Sequence, residues 1–357
     1  MKIFEIIPDL RKRAGAEVFF ESLCLELIKH EDIELHVVTI WDLVDASFQK
    51  FLNNPRIKYH CCGKIKPGLG RKAAKNLRKI LNEEKPDIVH THRSVCLSYF
   101  QAFRFKKQPW KYVHTVHNVA EKEAGFYERC LRKIYVKKQL IYHVGISDSI
   151  SQSITDIYKK TPAKTVYNGI LLDKFNESEK KKFDLICVAR FSHQKNHILL
   201  LKAFETIQSR HPSLSLLLVG EGELMESAKK YVETSKLKNV IFYGQTDDVK
   251  SLMAESRVFV LSSLYEGNPI SVLEAMNCGL PIVAPNVGGI PDIVKHMKNG
   301  VLFAVNDLNG LVNSLELVIQ NNDLRESLSK NNLNDIQKYS IENCSNEYFD
   351  FFKYLAK

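Results

Sequence analysis

Strand-like segments alternate with helical ones along this chain, twice over, and few architectures accept that pattern. In the first half, residues 2–7, 34–40, 87–91, 111–116 and 141–146 are short and rich in Val, Ile and aromatic side chains. Helical stretches such as 16–30 and 71–84 separate them. Strands joined through helices form parallel sheets with helices on both faces. The second half repeats the pattern at 184–189, 214–219, 240–243, 258–261, 281–284 and 301–304. Between the halves, the polar stretch 171–183 carries Asn-Glu-Ser-Glu-Lys-Lys-Lys and reads as a linker. The predicted architecture is α/β: two Rossmann-like doubly wound domains, 1–170 and 171–339, facing across a cleft. Ligands of such folds bind at the carboxyl ends of the strands. The final segment carries Tyr348, Phe349, Phe351, Phe352 and Tyr354. It reads as a helix over 340–357 that joins the first domain and lays its aromatic stripe across both. The plainer alternative keeps it on the second domain.

Charge divides the halves. Residues 1–168 hold 30 Lys/Arg against 18 Asp/Glu, whereas the remainder holds 21 against 23. That excess points to an anionic partner on the first half. Within the helix starting at Arg71, Ala73, Leu77, Ile80 and Leu81 share one face, and Arg71, Lys72, Lys75, Arg78 and Lys79 surround it. This pattern suits either docking on an anionic membrane surface or an ordinary solvated basic face. Nucleic acid is not expected, because no recognised binding motif accompanies the charge. The first apolar run is broken by Glu5, and no run approaches the roughly 18 apolar residues that cross a bilayer. The expectation is a cytoplasmic chain, peripheral at most on the inner face of the plasma membrane. Eight scattered cysteines without a Cys-x-x-Cys pair are expected as free thiols, and adjacent Cys61 and Cys62 make poor metal or redox candidates.

Chemistry concentrates in Ser263-Leu-Tyr-Glu266-Gly267-Asn268-Pro269-Ile270-Ser-Val-Leu-Glu274. Two carboxylates stand eight positions apart, one in a loop and one in the opening turns of a helix for which Pro269 suits the first position. A helix N-terminus attracts anions through its unpaired N–H groups and its dipole. Another predicted strand ends in Arg190, followed by Lys195, two cations suited to the phosphates of a nucleotide diphosphate. Gly220 and Gly222 close a third strand, as a tight turn or as a close approach to substrate. In the first half, Gly15 opens a helix and lets backbone approach a ligand. The histidines pair as His90-Thr-His92 and His114-Thr-Val-His117, the latter followed by Asn118. With no third carboxylate or cysteine at ligand spacing, contacts from His117 and Asn118 to a sugar fit better than zinc.

Taken together, Val-Ala-Arg190 through Lys195-Asn, Val-Gly220-Glu-Gly222, Glu266-x7-Glu274, Gly279-Leu-Pro-Ile-Val-Ala and Val-Gly-Gly-Ile-Pro resemble the family-4 retaining glycosyltransferases of the GT-B fold. Weaker matches are Gly15-Ala-Glu17, Asp87-Ile-Val-His-Thr-His, Thr115-Val-His117-Asn, Ser147 and Tyr167-Asn-Gly169. The resemblance implies that Arg190 and Lys195 bind the donor diphosphate, Glu266 the sugar hydroxyls and Glu274 the ribose hydroxyls. Amides around Asn268, Pro269 and Ile270 would touch sugar and phosphates, and His117 would lie near the reacting sugar. Ala-Gly15-Ala departs from the family's frequent Gly-Gly, which weakens the case for close approach there.

The physical logic runs the same way. Departure of the diphosphate is the hard step, and two cations with a helix dipole stabilise it without a cofactor or metal. A glycosidase would need close-set carboxyls flanking the bond. Retention by front-face attack, with the leaving phosphate taking the proton, is what the resemblance implies. The expected enzyme is a hexosyltransferase moving a sugar from a nucleotide sugar to a lipid-linked glycan or cell-surface polysaccharide. The alternatives are an epimerase or phosphorylase of the same fold, and a non-catalytic scaffold of polysaccharide assembly.

Overall fold

The computed structural model describes residues 1–11, 15–66, 70–172 and 181–357. They form two compact units, Met1–Leu171 with Ser340–Lys357, and Leu172–Tyr339. Most of the predicted linker, residues 173–180, lies outside the described residues.

The first unit is built on seven parallel strands: β1 Lys2–Ile7, β2 Glu34–Trp41, β3 Ile57–Lys64, β4 Ile88–His92, β5 Lys111–Val116, β6 Tyr142–Gly145 and β7 Lys164–Thr165. Their order is β3-β2-β1-β4-β5-β6-β7. Phe4, Ile6, Val38, Val89, Leu77 and Tyr112 form part of its core. The five strands expected here are present, each within one residue of its predicted ends. β3 and β7 were not expected. β3 reads Ile-Lys-Tyr-His-Cys-Cys-Gly-Lys and buries only Ile57 and Cys62, because it is an edge strand with no continuous apolar face. β7 is two residues long. Helix Arg71–Glu84 turns Ala73, Ala74, Leu77 and Leu81 inward, while Ile80 is only half-buried and the five cations stay exposed.

The last helix, Ile341–Ala356, belongs to the first unit. Ser340 caps it by accepting the Asn343 N–H at 3.0 Å. Tyr348 and Phe352 bury their rings against His90, and Phe349 stacks on His30 at 3.9 Å. The alternative that keeps this helix on the second domain is therefore wrong. Its aromatic face finds partners on β4 and beside helix Gly15–Leu27.

The second unit carries six parallel strands, β8 Phe183–Val188, β9 Leu216–Val219, β10 Val240–Gly244, β11 Ser256–Val260, β12 Ile282–Pro285 and β13 Gly300–Phe303. They stand in the order β10-β9-β8-β11-β12-β13, all within two residues of their predicted positions. From β8 the chain builds to one side through β9 and β10, then crosses to β11 and builds the other way. That reversal lies at the carboxyl ends of β8 and β11, the place where doubly wound sheets take ligands.

Candidate functional site

In the second unit the motif residues gather at that reversal. β8 leads into Ala189–Phe191 and a short turn, His193–Lys195, that ends where helix His197–Gln208 starts. β11 leads into a loop that ends at helix Ile270–Asn277. The two loops are tied together: Leu264 donates its N–H to the Gln194 carbonyl at 2.8 Å, and the Ser262 hydroxyl caps the carbonyls of Lys195 and Asn196 at 3.0 Å each. Lys195 Nζ consequently lies 2.5 Å from Glu266 Oε1. The Ser263 hydroxyl donates to the same oxygen at 2.6 Å, and Gln194 Nε2 approaches Oε2 at 3.4 Å. Both ends of the pair are largely sheltered, with side chains 18% and 5% exposed, so its attraction is poorly screened. Lys195 and Glu266, expected to serve different parts of a ligand, bind one another here. Sequence reasoning had no signal for Ser263 or Gln194 as their partners.

Glu274 sits one turn inside helix Ile270–Asn277, half-buried. Its carboxylate makes no hydrogen bond or ion pair with any described residue, and burial raises it to about 7. A sheltered acceptor without a donor is a site waiting for one. Pro269 is the residue before the helix and not its first, as expected from the sequence; its carbonyl accepts the Val272 N–H at 3.1 Å. Asn268 is buried beside it, and Ile270 opens the helix. Arg190 stands apart from the Lys195 pair, 70% exposed and 3.2 Å from Glu223. Gly220 and Gly222 are used by the protein itself: a Cβ on either would collide with the carbonyl oxygen of Ala189 or Phe191. They let the β9 turn lie directly on the Arg190 turn.

Gly288, in the loop after β12, has φ +55°, and a Cβ there would run into the Glu266 carbonyl oxygen. Gly289 donates its N–H to that oxygen at 3.3 Å. The backbone of Glu266 is thereby fixed from a third strand end.

In the first unit, Gly15 is the exposed first residue of helix Gly15–Leu27; Lys12–Ala14 lie outside the described residues. Glu17 in its first turn pairs with Arg93 after β4. His117 and Asn118 follow β5, and Glu123 holds this turn by accepting the N–H groups of His117 at 2.6 Å and Asn118 at 3.4 Å. Glu123 also accepts from His114 Nε2 at 2.9 Å and from buried Arg132 at 3.0 Å. His117 Nε2 lies 2.9 Å from His92 Nδ1, and His92 Nε2 lies 2.8 Å from Glu5 Oε2. His90 Nδ1 lies 2.9 Å from the other oxygen of Glu5. The carboxylate missing at ligand spacing is thus present in space, brought 85 residues along the chain by the pairing of β1 with β4. It serves the histidines as a hydrogen-bond acceptor. Two cations, two carboxylates and two glycine turns at strand ends form a set that can hold a phosphorylated, hydroxyl-rich ligand. All eight cysteines are free thiols, Cys61 and Cys62 on β3 among them.

Two glycosyltransferase family models together span residues 13–335, and the chain belongs to the glycosyl transferases group 1. That family matches residues 171–335, and Glycosyltransferase Family 4 matches residues 13–174. The chain is 28% identical over 348 residues to the UDP-Gal:alpha-D-GlcNAc-diphosphoundecaprenol alpha-1,3-galactosyltransferase of Escherichia coli, with 87% of this chain and 86% of that one covered. It is 26% identical over 274 residues to the N-acetyl-alpha-D-glucosaminyl L-malate synthase of Bacillus anthracis, covering 72% and 71%. Among solved structures it is similar to Anabaena HepE in complex with UDP and glucose, at TM-score 0.82 and 17% identity, covering 99% and 100%. The fold is GT-B.

Proposed function

We propose that this glycosyltransferase takes a hexose from a nucleotide-diphosphate sugar and passes it, with retention and without a metal, to a lipid-linked acceptor of a cell-surface glycan. The observation that carries this reading is the Lys195–Glu266 pair at the β8–β11 reversal, with the unpartnered carboxylate of Glu274 on the adjoining helix. The lipid-linked substrate in the name of the Escherichia coli relative and the UDP and glucose held by HepE support it.

In this reading the ribose hydroxyls donate to Glu274, and Glu266 accepts from the sugar hydroxyls. Lys195 and Arg190 face the diphosphate together with the first N–H groups of helix Ile270–Asn277, helped by the backbone of Asn268 and Pro269. Gly220 and Gly222 shape the turn that presents Arg190. Until donor arrives, Glu266 keeps the Lys195 ammonium oriented without leaving either charge alone. As the bond from the anomeric carbon to phosphate breaks, negative charge grows on the departing oxygen, where the cations stabilise it. The acceptor hydroxyl forms the new bond on the same face and gives its proton to that phosphate oxygen. His117, with Asn118 and Gly15, is assigned to the sugars.

Replacing Arg190 or Glu274 by alanine should abolish transfer while both variants stay folded; full activity in both variants rejects the assignment. Turnover of donor without acceptor would indicate an epimerase. For the acceptor we assign docking on anionic lipid. The exposed basic face of helix Arg71–Glu84 supports it, as do Phe126 and Tyr127, 77% and 68% exposed at the start of a helix that also shows Lys133 and Lys137. Sedimentation with vesicles should then need anionic lipid and weaken with salt; binding indifferent to both refutes it.

A further inference from the structure

A buried chain of hydrogen bonds dictates which nitrogen of His117 carries its proton. Glu5 is wholly buried, and each of its oxygens faces one ring nitrogen, His90 Nδ1 at 2.9 Å and His92 Nε2 at 2.8 Å. Burial alone would raise this carboxyl, but His90 and His92 outweigh it and hold it down to about 2. The ionised carboxylate only accepts, so both nitrogens donate. His92 is 1% exposed, and burial lowers it to about 4, so near neutral pH its ring carries one proton. That proton is on Nε2, facing Glu5, which leaves Nδ1 as an acceptor. The partner of Nδ1 at 2.9 Å is Nε2 of His117, which must therefore donate. Burial and then His92 also keep His117 neutral, far below the ordinary histidine range. With its one proton on Nε2, His117 has a lone pair on Nδ1.

A second arm meets the same carboxylate. Tyr348 on the last helix lies 2.8 Å from the Thr115 hydroxyl, which lies 2.8 Å from His90 Nε2. Glu5 is thus the common acceptor of two arms, one ending inside the last helix and one ending at the β5 turn.

We propose that Glu5 and His92 are positioning residues that lock His117 as the Nε2–H tautomer, so that it meets the sugar through Nδ1 as a hydrogen-bond acceptor and never as a proton donor. This rests on the assignment of His117 to the sugars. The consequence is a specificity rule: the group His117 reads must bring its own hydrogen, as a hydroxyl or amide does, and a deoxy or keto group there is rejected. His117 thereby takes no part in stabilising the departing phosphate.

Glu5, His90 and His92 also offer three ligand-type atoms within 4.8 Å of one another, and a metal there predicts the opposite outcome. With Nε2 of His92 on a metal, its proton would move to Nδ1, and His117 would be forced into the Nδ1–H form.

Nitrogen-15 NMR of the full chain with labelled imidazoles separates these cases, with His117 identified by difference against His117→Gln. The expected result at neutral pH is a protonated Nε2 and a bare Nδ1. In Glu5→Leu the acceptor that orders His92 is gone, so the Nδ1–H form of His117 should become detectable. Transfer should then fall roughly 10- to 100-fold in kcat/KM, the size of one well-placed hydrogen bond. Tyr348→Phe, at the far end of the other arm, should leave the His117 tautomer as it was. An Nδ1–H or doubly protonated His117 in the wild-type chain overturns the proposal, as does an unchanged tautomer in Glu5→Leu. The wild-type spectrum decides even where that variant fails to fold. If the tautomer is as proposed and His117→Gln still transfers sugar normally, the lock stands and the assignment of His117 to the sugar falls.

Discussion

Single side chains at the proposed site are tuned by what surrounds them. Glu274 is the clearest case, because burial raises its folded value to about 7 from an unfolded value near 4.5. The folded group keeps its proton up to about pH 7 whereas the unfolded one ionises above about 4.5, so the cost of burying it builds up between those values. In the proposed complex, ribose hydroxyls donating to the carboxylate would favour the ionised form and reverse that cost. Donor binding should therefore release a proton below pH 7, and affinity should rise with pH up to about 7 and level off above it. Calorimetry with a nucleotide sugar in buffers of different ionisation heat measures both, because its diphosphate has no proton of its own to lose in that range. Glu274→Gln should bind without proton release. Proton release that persists in Glu274→Gln would assign it to another group. Arg190 and Lys195 stood out in the sequence because they follow a predicted strand end, and Glu266 and Glu274 because they flank a predicted helix start. Ser263, Gln194, Glu123 and Glu5 did not. Glu5 lies in the run Ile-Phe-Glu-Ile-Ile, where it reads only as an interruption, and its partners lie 85 and 87 residues away.

At the level of elements, period and flanking helices were enough to place eleven of the strands, since a buried parallel strand advertises itself as a continuous apolar run. The edge strands β3 and β7 carry no such run, and only their pairing to β2 and β6 identifies them. Loops are the harder part, because their geometry follows from contacts between strand ends. The turn at Gly288 illustrates it: its positive φ and its packing on the Glu266 carbonyl are invisible in Val-Gly-Gly-Ile-Pro. Gly288→Ala must move the loop or Glu266, and a core collision of this kind costs on the order of 1–3 kcal/mol. Transfer should fall at least 10-fold while β1–β7 of the first unit stay intact. Unchanged thermal unfolding and unchanged transfer would show that this loop does not set Glu266.

On the scale of the whole molecule, the two units answer acid differently. In the first, burial lowers His92 to about 4 and pushes His114, His117 and His143 well below the ordinary histidine value. Folded, these rings refuse protons that the unfolded chain takes up near 6.5. Stability is therefore full above 6.5 and is lost as pH falls, by about 1.4 kcal/mol for each fully excluded ring between pH 7.5 and 5.5. Glu5, held down to about 2, adds a further loss below 4.5. In the second unit Glu274 acts in the opposite sense, and His197, lowered to about 4, acts in the same sense as the others. Trp41 and Trp110 both belong to the first unit, so their fluorescence during urea unfolding follows that unit. Its midpoint should drop markedly between pH 7.5 and 5.5; a constant midpoint would mean that these rings protonate without unfolding. The central claim is that the Lys195–Glu266 pair divides a nucleotide sugar between its two charges, and calorimetric titration of two variants tests it most directly. Lys195→Ala should weaken a nucleoside diphosphate roughly 10- to 100-fold, as expected for losing a charged hydrogen bond. Glu266→Gln, freeing the ammonium, should bind the same nucleoside diphosphate as well as or better than the wild type, yet lose the added affinity of the attached sugar. Wild-type binding of both ligands by both variants would contradict the account.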